Sequence, residues 1–548
     1  MKKFFRIAYL VVTLFFLGNI LLNHINLNPI YPESAFFYCV VVTAYLALYC
    51  LQRMGGFIVS RQSGAVSVNY ERNGSAIPKW ALIVAGICWG AYLVVSLGST
   101  VIFNVNAYRG QMPDFREGEF NADVQLVDTT QLPVVDLEMA KKLADKKLGE
   151  NPSLGSQVVL GEPTVQMVDG ELVWVAPTYH SGFFKWVTNL SGSQGYVIVS
   201  ATNPQDVRYV DSHRIKIQPG AYLFDDLSFY ARFFGAPFTG LTDYSFELDD
   251  EGNPYWVIST YRNTWGFRLP EATGALIINA ETGERRKYDL DDLPEWVDRV
   301  QPEDFIIRQI DNKGEYINGF LNFADKDKYK TSPGDIIVYN NGDCYLFTGV
   351  TSVGADESAI GFVMVDMVTK EPTIYRISGA TEQSAQKSAE GKVQQFGYYA
   401  SWPIIVNVNG TPSYFMTLKD DEGLLKQYAY VSVKDYLVVG VGESVPEAKV
   451  NYEKALRQNV SSDTTITETT AKTVSGTVQR IAAEYSASGT VYRFVLENRP
   501  DKLFTAAASL SEELAITREG DSIRVEYLDN GAGLCEVTGF DNLAFEQK

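Results

Sequence analysis

Three long apolar runs, all before Asn104, constrain this chain more than any other feature. Phe4 to Leu22 is interrupted only by Arg6, Thr13 and Asn19. Ala35 to Leu51 has Thr43 as its one conventional polar residue besides tyrosines and cysteines, and Trp80 to Phe103 carries no charge. Crossing a hydrocarbon core of roughly 30 Å takes about 17 to 25 such residues, so three transmembrane helices are predicted. Lys2, Lys3 and Arg6 before the first run also fit a signal peptide. However, Asn19-Ile-Leu-Leu-Asn-His24 lacks the small residues of a cleavage site, and a second apolar run follows closely, which favours an uncleaved anchor.

Basic residues near span ends are retained in the cytoplasm. Lys2, Lys3 and Arg6 precede the first run, the loop from His24 to Ser34 holds no Lys or Arg, and Gln52 to Lys79 holds Arg53, Arg61, Arg72 and Lys79. This alternation predicts a multi-pass protein of the cell membrane with a cytoplasmic N-terminus and residues 104–548 extracytoplasmic. Residues 1–103 carry seven Lys and Arg against two acids, and the remaining 445 carry 40 against 64. So acidic an external region disfavours nucleic acid as a partner, because it repels phosphate backbones, and suits a well-solvated surface.

Within the external region a single pattern recurs four times: a Gly-containing polar turn, an aromatic-rich strand, then a β-branched strand. The copies begin at Asp169-Gly-Glu-Leu-Val-Trp-Val175 followed by Gly195 to Ala201, at Glu251-Gly-Asn-Pro-Tyr-Trp-Val257 followed by Gly274 to Gly283, at Asn341-Gly-Asp-Cys-Tyr-Leu-Phe347 followed by Ile360 to Lys370, and at Asn409-Gly-Thr-Pro-Ser-Tyr-Phe-Met416 followed by Leu425 to Val433. Alternation of period two between Gly, Asn and Asp turns predicts half-buried antiparallel strands. Helical spacing over Leu137 to Leu148, and the composition of Ala380 to Phe396 and Val445 to Leu456, add helices that cover one face of each sheet, giving α+β modules.

These residues resemble known families. A helix, a Gly-aromatic strand and Gly274-Ala-Leu-Ile-Ile-Asn-Ala-Glu-Thr-Gly283 resemble PepSY-type modules of bacterial envelope proteins, which implies protease inhibition or envelope binding. Trp296 to Tyr452, with Tyr345-Leu-Phe-Thr-Gly-Val350, Ser388-Ala-Glu-Gly-Lys-Val393 and Tyr414-Phe-Met-Thr-Leu-Lys-Asp420, resembles a family of multi-pass bacterial membrane proteins. No activity is associated with that family, so this likeness supports the architecture and carries over no site residue.

The Ser/Thr-rich stretch Asn459 to Thr470 reads as a linker. Beyond it, Val474 to Ile481, Val491 to Leu496, Leu503 to Ala506, Ser522 to Tyr527 and Glu536 to Phe540 give about five short strands, with Leu510 to Leu514 as a short helix; this resembles a small OB-like barrel. Basic and aromatic residues are not concentrated on one of its strands, so the oligonucleotide role of such barrels is not implied.

Candidate chemistry is met mostly by exclusion. Ser384-Ala-Gln-Lys387 and Lys330-Thr-Ser332 echo elements of penicillin-recognising enzymes, but in the wrong order and without the intervening Ser-x-Asn element. His180 and His213 lack Cys or His companions at zinc-ligand spacing. The acidic groups Asp225-Asp226, Asp249-Asp250-Glu251, Asp289 with Asp291-Asp292, and Asp325 with Asp327 do not follow an EF-hand loop, which leaves adventitious calcium binding open. Asp249 to Asn253 reads as a hairpin turn and Asp291 to Trp296 as a helix start. Cys344 and Cys535 read as core residues, with a bridge between them left open.

The sequence thus predicts an α+β protein divided into a membrane domain (1–103), a first module (104–220), a second (221–330), a third and fourth (331–458), a linker (459–470) and an OB-like barrel (471–548). No catalytic, cofactor-binding or metal-binding residue is assigned and no cofactor is expected. Gly86 and Gly90 form a close-packing pair for a second helix, either within the chain or on another copy. Phe183, Phe184, Trp186, Trp265 and Phe267 are candidate interface residues. The expected function is a non-enzymatic membrane-anchored scaffold or binding protein whose partners are the lipid bilayer and either a second copy (a homo-oligomer) or an envelope protein. The alternative is an envelope enzyme or a PepSY-like regulator of a protease.

Overall fold

A computed structural model describes residues 2–62, 65–72, 77–124, 132–151, 155–334, 336–340, 342–353, 359–459, 470–486, 489–529 and 534–545. Three helices long and apolar enough to cross a membrane stand at the N-terminal end: α1 (Lys2–Leu22), α2 (Pro32–Met54) and α3 (Lys79–Gly98). Between α2 and α3 the chain makes an antiparallel hairpin, Gly55–Gln62 with Ala65–Arg72. After α3 the chain turns at Ser99–Thr100 into α4 (Val101–Gly110), which is kinked at Asn104. The remaining long helices are α5 (Leu137–Gly149), α6 (Glu303–Glu315), α7 (Glu382–Lys392) and α8 (Val445–Asn459).

The repeat has a common hydrogen-bond signature that is not visible as sequence identity. Before each helical segment, a short strap of extended chain donates to one carbonyl at the end of that module's own sheet. Val134 and Val135 both donate to the Ala201 oxygen, Lys216 and Ile217 to Ala280, Val300 and Gln301 to Met367, and Ala380 donates to Val433. Each acceptor residue in turn donates its own N–H to the start of a neighbouring strand, at Leu172, Pro254, Cys344 and Pro412 respectively. The helix then follows, directly in three modules and after residues 218–226 in the second, where the 3-10 turn Leu223–Asp225, the short helix Leu227–Tyr230 and the π-helical turn Ala231–Gly235 form.

The strands also match. In the first module both Val158–Leu160 and Thr164–Val168 pair with Glu171–His180, in the third Tyr329–Thr331 and Ile336–Asn340 pair with Asp343–Ser352, and in the fourth Tyr399–Ala400 and Ile404–Val408 pair with Thr411–Lys419. The second module keeps its first strand, Gly240–Leu248, continuous and places a bulge at Asp243, where the others break. One glycine recurs for a steric reason. A Cβ on Gly195, Gly274 or Gly361 would collide with the carbonyl oxygen of Val210, Tyr288 or Tyr375 on the neighbouring strand, and each glycine lies at a register shift of its ladder.

Strand pairings and helix bounds place three segments differently from the sequence reading. The straps place the start of the third module near Val300, so α6 and Tyr329–Thr331 belong to it rather than to a second module ending at residue 330. The segment after α4 does not belong to the first module either, since Arg116–Glu117 pairs in parallel with Thr373–Ile374 and Phe120 packs against Phe362 and Tyr375. Asp291 does not start a helix; Leu290–Asp292 is a single 3-10 turn, and the next helix begins after Pro302.

The strands are buried on both faces instead of one. Ala176, Val197 and Val199 lie under α5, while Val173, Val175 and Tyr196 of the same sheet meet Leu227, Phe246 and Trp256 of the second module. Phe347, Phe362 and Met364 of the third sheet share a core with α7 and with Tyr414 and Met416 of the fourth. The opposite face of the fourth, Phe415 and Tyr430, packs with α8 and α5, so the last module closes onto the first. Antiparallel sheets usually leave one face to water; here neighbouring modules remove it, which explains why stretches such as Ala275-Leu-Ile-Ile278 read as continuous apolar runs.

The C-terminal strands Thr470–Ser486, Gly489–Leu496, Arg499–Ala507, Ser522–Asp529 and Leu534–Asn542 form a ladder that returns to its start, with the third and fifth parallel. Val478, Phe494, Phe504, Val525 and Cys535 fill its interior. Cys344 lies in another core, and no disulfide joins the two cysteines. The Ser/Thr linker lies, apart from its end residues, outside the described residues.

Candidate ligand cavity at the membrane junction

The second module is seated on the loop between α1 and α2, and the residue types of that loop explain how. Asn26 and Asn28 turn their amide groups to the carbonyls of Thr239 and Phe238, each at 3.0 Å, and the Leu27 N–H donates to Pro237. Tyr31 donates its hydroxyl to the Tyr261 carbonyl and accepts from the Gly240 N–H, both at 2.7 Å. Arg232 donates to the carbonyls of His24, Ala236 and Thr239. Burial pulls its guanidinium below the ordinary value, opposed by Tyr244, Tyr261, Tyr31 and Glu33. These bonds satisfy carbonyls that a π-helical turn and an irregular loop would otherwise leave bare.

Below this join is a cavity of about 530 Å³. Its walls are Phe15, Phe16, Phe36, Phe37 and Val40 of α1 and α2, and its rim is Asn19, Asn23, His24, Glu33, Arg232 and Tyr261. A second space, about 470 Å³, lies between α2, α3 and the turn Trp265-Gly266-Phe267 and is lined by apolar groups including Cys39, Val42, Cys88 and Tyr92. The first is amphipathic and of a size to hold a small amphiphile.

A buried charged cluster holds the first three modules together. Asp298 accepts from the Met167 N–H at 2.9 Å and from the Tyr339 hydroxyl at 3.0 Å, while Arg299 donates to Ser245 Oγ and lies 4.0 Å from Glu247. Burial pushes the Glu247 carboxyl up to about 8 against the opposing pull of Arg299. Burial also raises Asp298 and Asp243, and it raises Cys344 and Tyr339 strongly. Perturbed groups in a cleft would suggest chemistry, but these groups fill the seam between packed sheets.

The residues singled out by sequence are scattered. Ser384 is in the first turn of α7, its N–H capped by Thr381, with Lys387 exposed one turn on. His213 pairs with Glu281 at 3.2 Å, and burial lowers His180. Asp249 accepts from the N–H groups of Glu251 and Asn253 and closes a hairpin, as its spacing predicts. Among the described residues no group of three or more His, Cys, Asp or Glu is placed to hold a metal.

The interface candidates separate into two groups. Phe267 packs at a tilt against Tyr92 of α3 and its N–H donates to Ser99, with Trp265 exposed beside it. Phe183, Phe184 and Trp186 share a short helix; Trp186 is buried and donates to Asp225, whereas Phe184 is exposed. Among the described residues a Cβ on Gly86 or Gly90 would meet no neighbouring atom within 4 Å, and α3 meets α2 through Cys88 and Trp89. Sequence reading missed the loop asparagines, Tyr31 and Arg232. Three asparagines within six residues at the end of a span were the available signal. No protein family, curated protein or solved structure matches the chain.

Proposed function

We propose that the chain is a non-enzymatic, membrane-anchored extracytoplasmic binding protein or scaffold, with the N-terminus and the 53–79 segment cytoplasmic. The observation that carries this reading is the join of Asn26, Asn28, Tyr31 and Arg232 to the second module, which fixes a block of mutually packed modules at one height above the spans. Such a mount suits the display of surfaces to an envelope protein or a second copy. The helix-plus-sheet unit with its common strap supports the PepSY-like reading, which favours regulation of a protease as the runner-up. Strand order first-second-third-fifth-fourth, with a short helix between the third and fourth, supports the OB-like reading of the C-terminal unit.

The test is cross-linking in intact membranes with wild type and with Tyr31→Phe/Asn26→Ala/Asn28→Ala, followed by identification of captured proteins. A scaffold loses its specific partners when the join is loosened and keeps them with Ser384→Ala, Lys387→Ala, His180→Ala, His213→Ala or Asp291→Ala. Loss of the deletion phenotype's complementation by one of these five, in a folded chain, would move the protein to the enzyme class.

A further inference from the structure

We infer that an aromatic apron on the second module and the adjoining short helix of the first lies in the headgroup region of the leaflet facing the module block, and that its partner is the bilayer that holds α1 to α3. The apron starts at the end of α1. His24 meets Phe229 edge-on with ring centroids 6.0 Å apart; Phe229 contacts Phe224 at 5.8 Å, and Phe224 contacts Phe234 at 5.9 Å. On the far side of Leu223, Tyr222 packs edge-on against Phe183 at 5.1 Å, and Phe183 leads to Phe184. Phe238 is tied to the same membrane loop through its carbonyl, which accepts from Asn28.

These side chains face outward: Phe184 is 79% exposed, Leu223 68%, Phe224 61% and Phe238 60%. Leu223 also has φ +57°, a conformation that costs a bulky residue energy and here turns an apolar side chain away from the protein. An exposed patch of this kind marks an interaction surface, and its position selects the occupant. The patch is continuous with a loop that ends two membrane spans, so headgroups already lie beside it, and aromatic rings favour that depth. Lys185 is exposed next to Phe184, and Arg285 lies over Tyr230 and Phe234, which places cations at its edge for lipid phosphates. A second copy would have to displace lipid to reach the same rings.

The experiment uses the full chain in phosphatidylcholine and phosphatidylglycerol vesicles, spin-labelled at Phe184→Cys, Phe224→Cys or Phe238→Cys, with exposed Glu443→Cys, just before α8 in the fourth module, as the comparison label and the unsubstituted chain as background for native cysteines. Oxygen partitions into lipid and a nickel chelate into water. The inference expects labels 184, 224 and 238 to show at least threefold higher oxygen-to-nickel accessibility ratios than label 443. Ratios equal to that of label 443 overturn it. So does dipolar broadening at 184 or 224 that persists when protein is diluted in lipid, because that result makes a second copy the occupant. Should one cysteine variant fail to fold, the other two positions carry the same comparison.

Discussion

The first and last modules are joined at a lysine whose environment makes an asymmetric prediction. Lys419 is almost wholly buried, and its ammonium group lies 2.7 Å from both Asp136 and Glu138, at the start of α5. Burial alone would lower Lys419; its bonds to the two carboxylates outweigh this and raise it. Those of Lys419 and then Lys142 hold Glu138 down to about 2 from an ordinary 4.5. That shift corresponds to about 3 kcal/mol before screening, but Glu138 is nearly half exposed, so about 1 kcal/mol is a fair net value. Because the folded-state value is depressed, this stabilisation is present above pH 4.5 and is lost as pH falls toward 2. Removing both acids with Asp136→Ser/Glu138→Gln keeps a capping oxygen on α5 but leaves a buried charge unpaired, at a cost of about 3 to 5 kcal/mol. Lys419→Met fills similar volume and leaves two hydratable carboxylates, so it costs about 1 to 2 kcal/mol. Amide hydrogen exchange of the solubilised full chain reads the difference: protection in α5 and Thr411–Lys419 falls by roughly tenfold for the lysine variant and at least about a hundredfold for the acid pair. Equal losses, or a larger loss for Lys419→Met, would refute the argument that desolvation of the ammonium dominates.

Three further outcomes are expected. Gly274→Ala and Gly361→Ala each destabilise their module by about 2 kcal/mol or more, while Gly149→Ala, with open space at its Cβ, stays within about 0.5 kcal/mol; denaturant midpoints check this. Because burial raises Glu247 to about 8, the folded state loses stability as pH climbs from 4.5 through 8, and Glu247→Gln removes on the order of 2 to 4 kcal/mol of that loss, measured by unfolding at pH 5 and pH 8.5. In intact cells a membrane-impermeant maleimide labels Glu443→Cys and spares Arg53→Cys; the reverse pattern inverts the orientation.

The spans, the four hairpins and α5, α7 and α8 were legible because each depends on local periodicity and turn chemistry. α6 was not found, although Phe305, Ile306, Gln309 and Ile310 form its buried face, because its flanking charges and Gly314 obscure the stripe. The double-sided burial and the pairing of Arg116–Glu117 with Thr373–Ile374 depend on contacts distant in sequence, which periodicity cannot report. The junction was missed for a related reason. Asn26, Asn28 and Tyr31 bond to backbone carbonyls, and a partner without a side chain leaves no mark in a sequence.

The way the fourth sheet seals the first has a consequence for biogenesis. α5 emerges more than 260 residues before Phe415 and Tyr430, the side chains that cover some of its surface, and Arg116–Glu117 waits nearly as long for its strand partner. Long-range closure of this kind is slow and leaves apolar surface open in the meantime. A chain threaded across a membrane from its N-terminal end would therefore pass through a stage with three modules delivered and two unfinished faces. During that interval the cell would have to shield α5 and the face of the third sheet that later meets α7 and Tyr414, and a chain cut short before the fourth module would remain in that stage permanently, as a substrate for quality-control proteases.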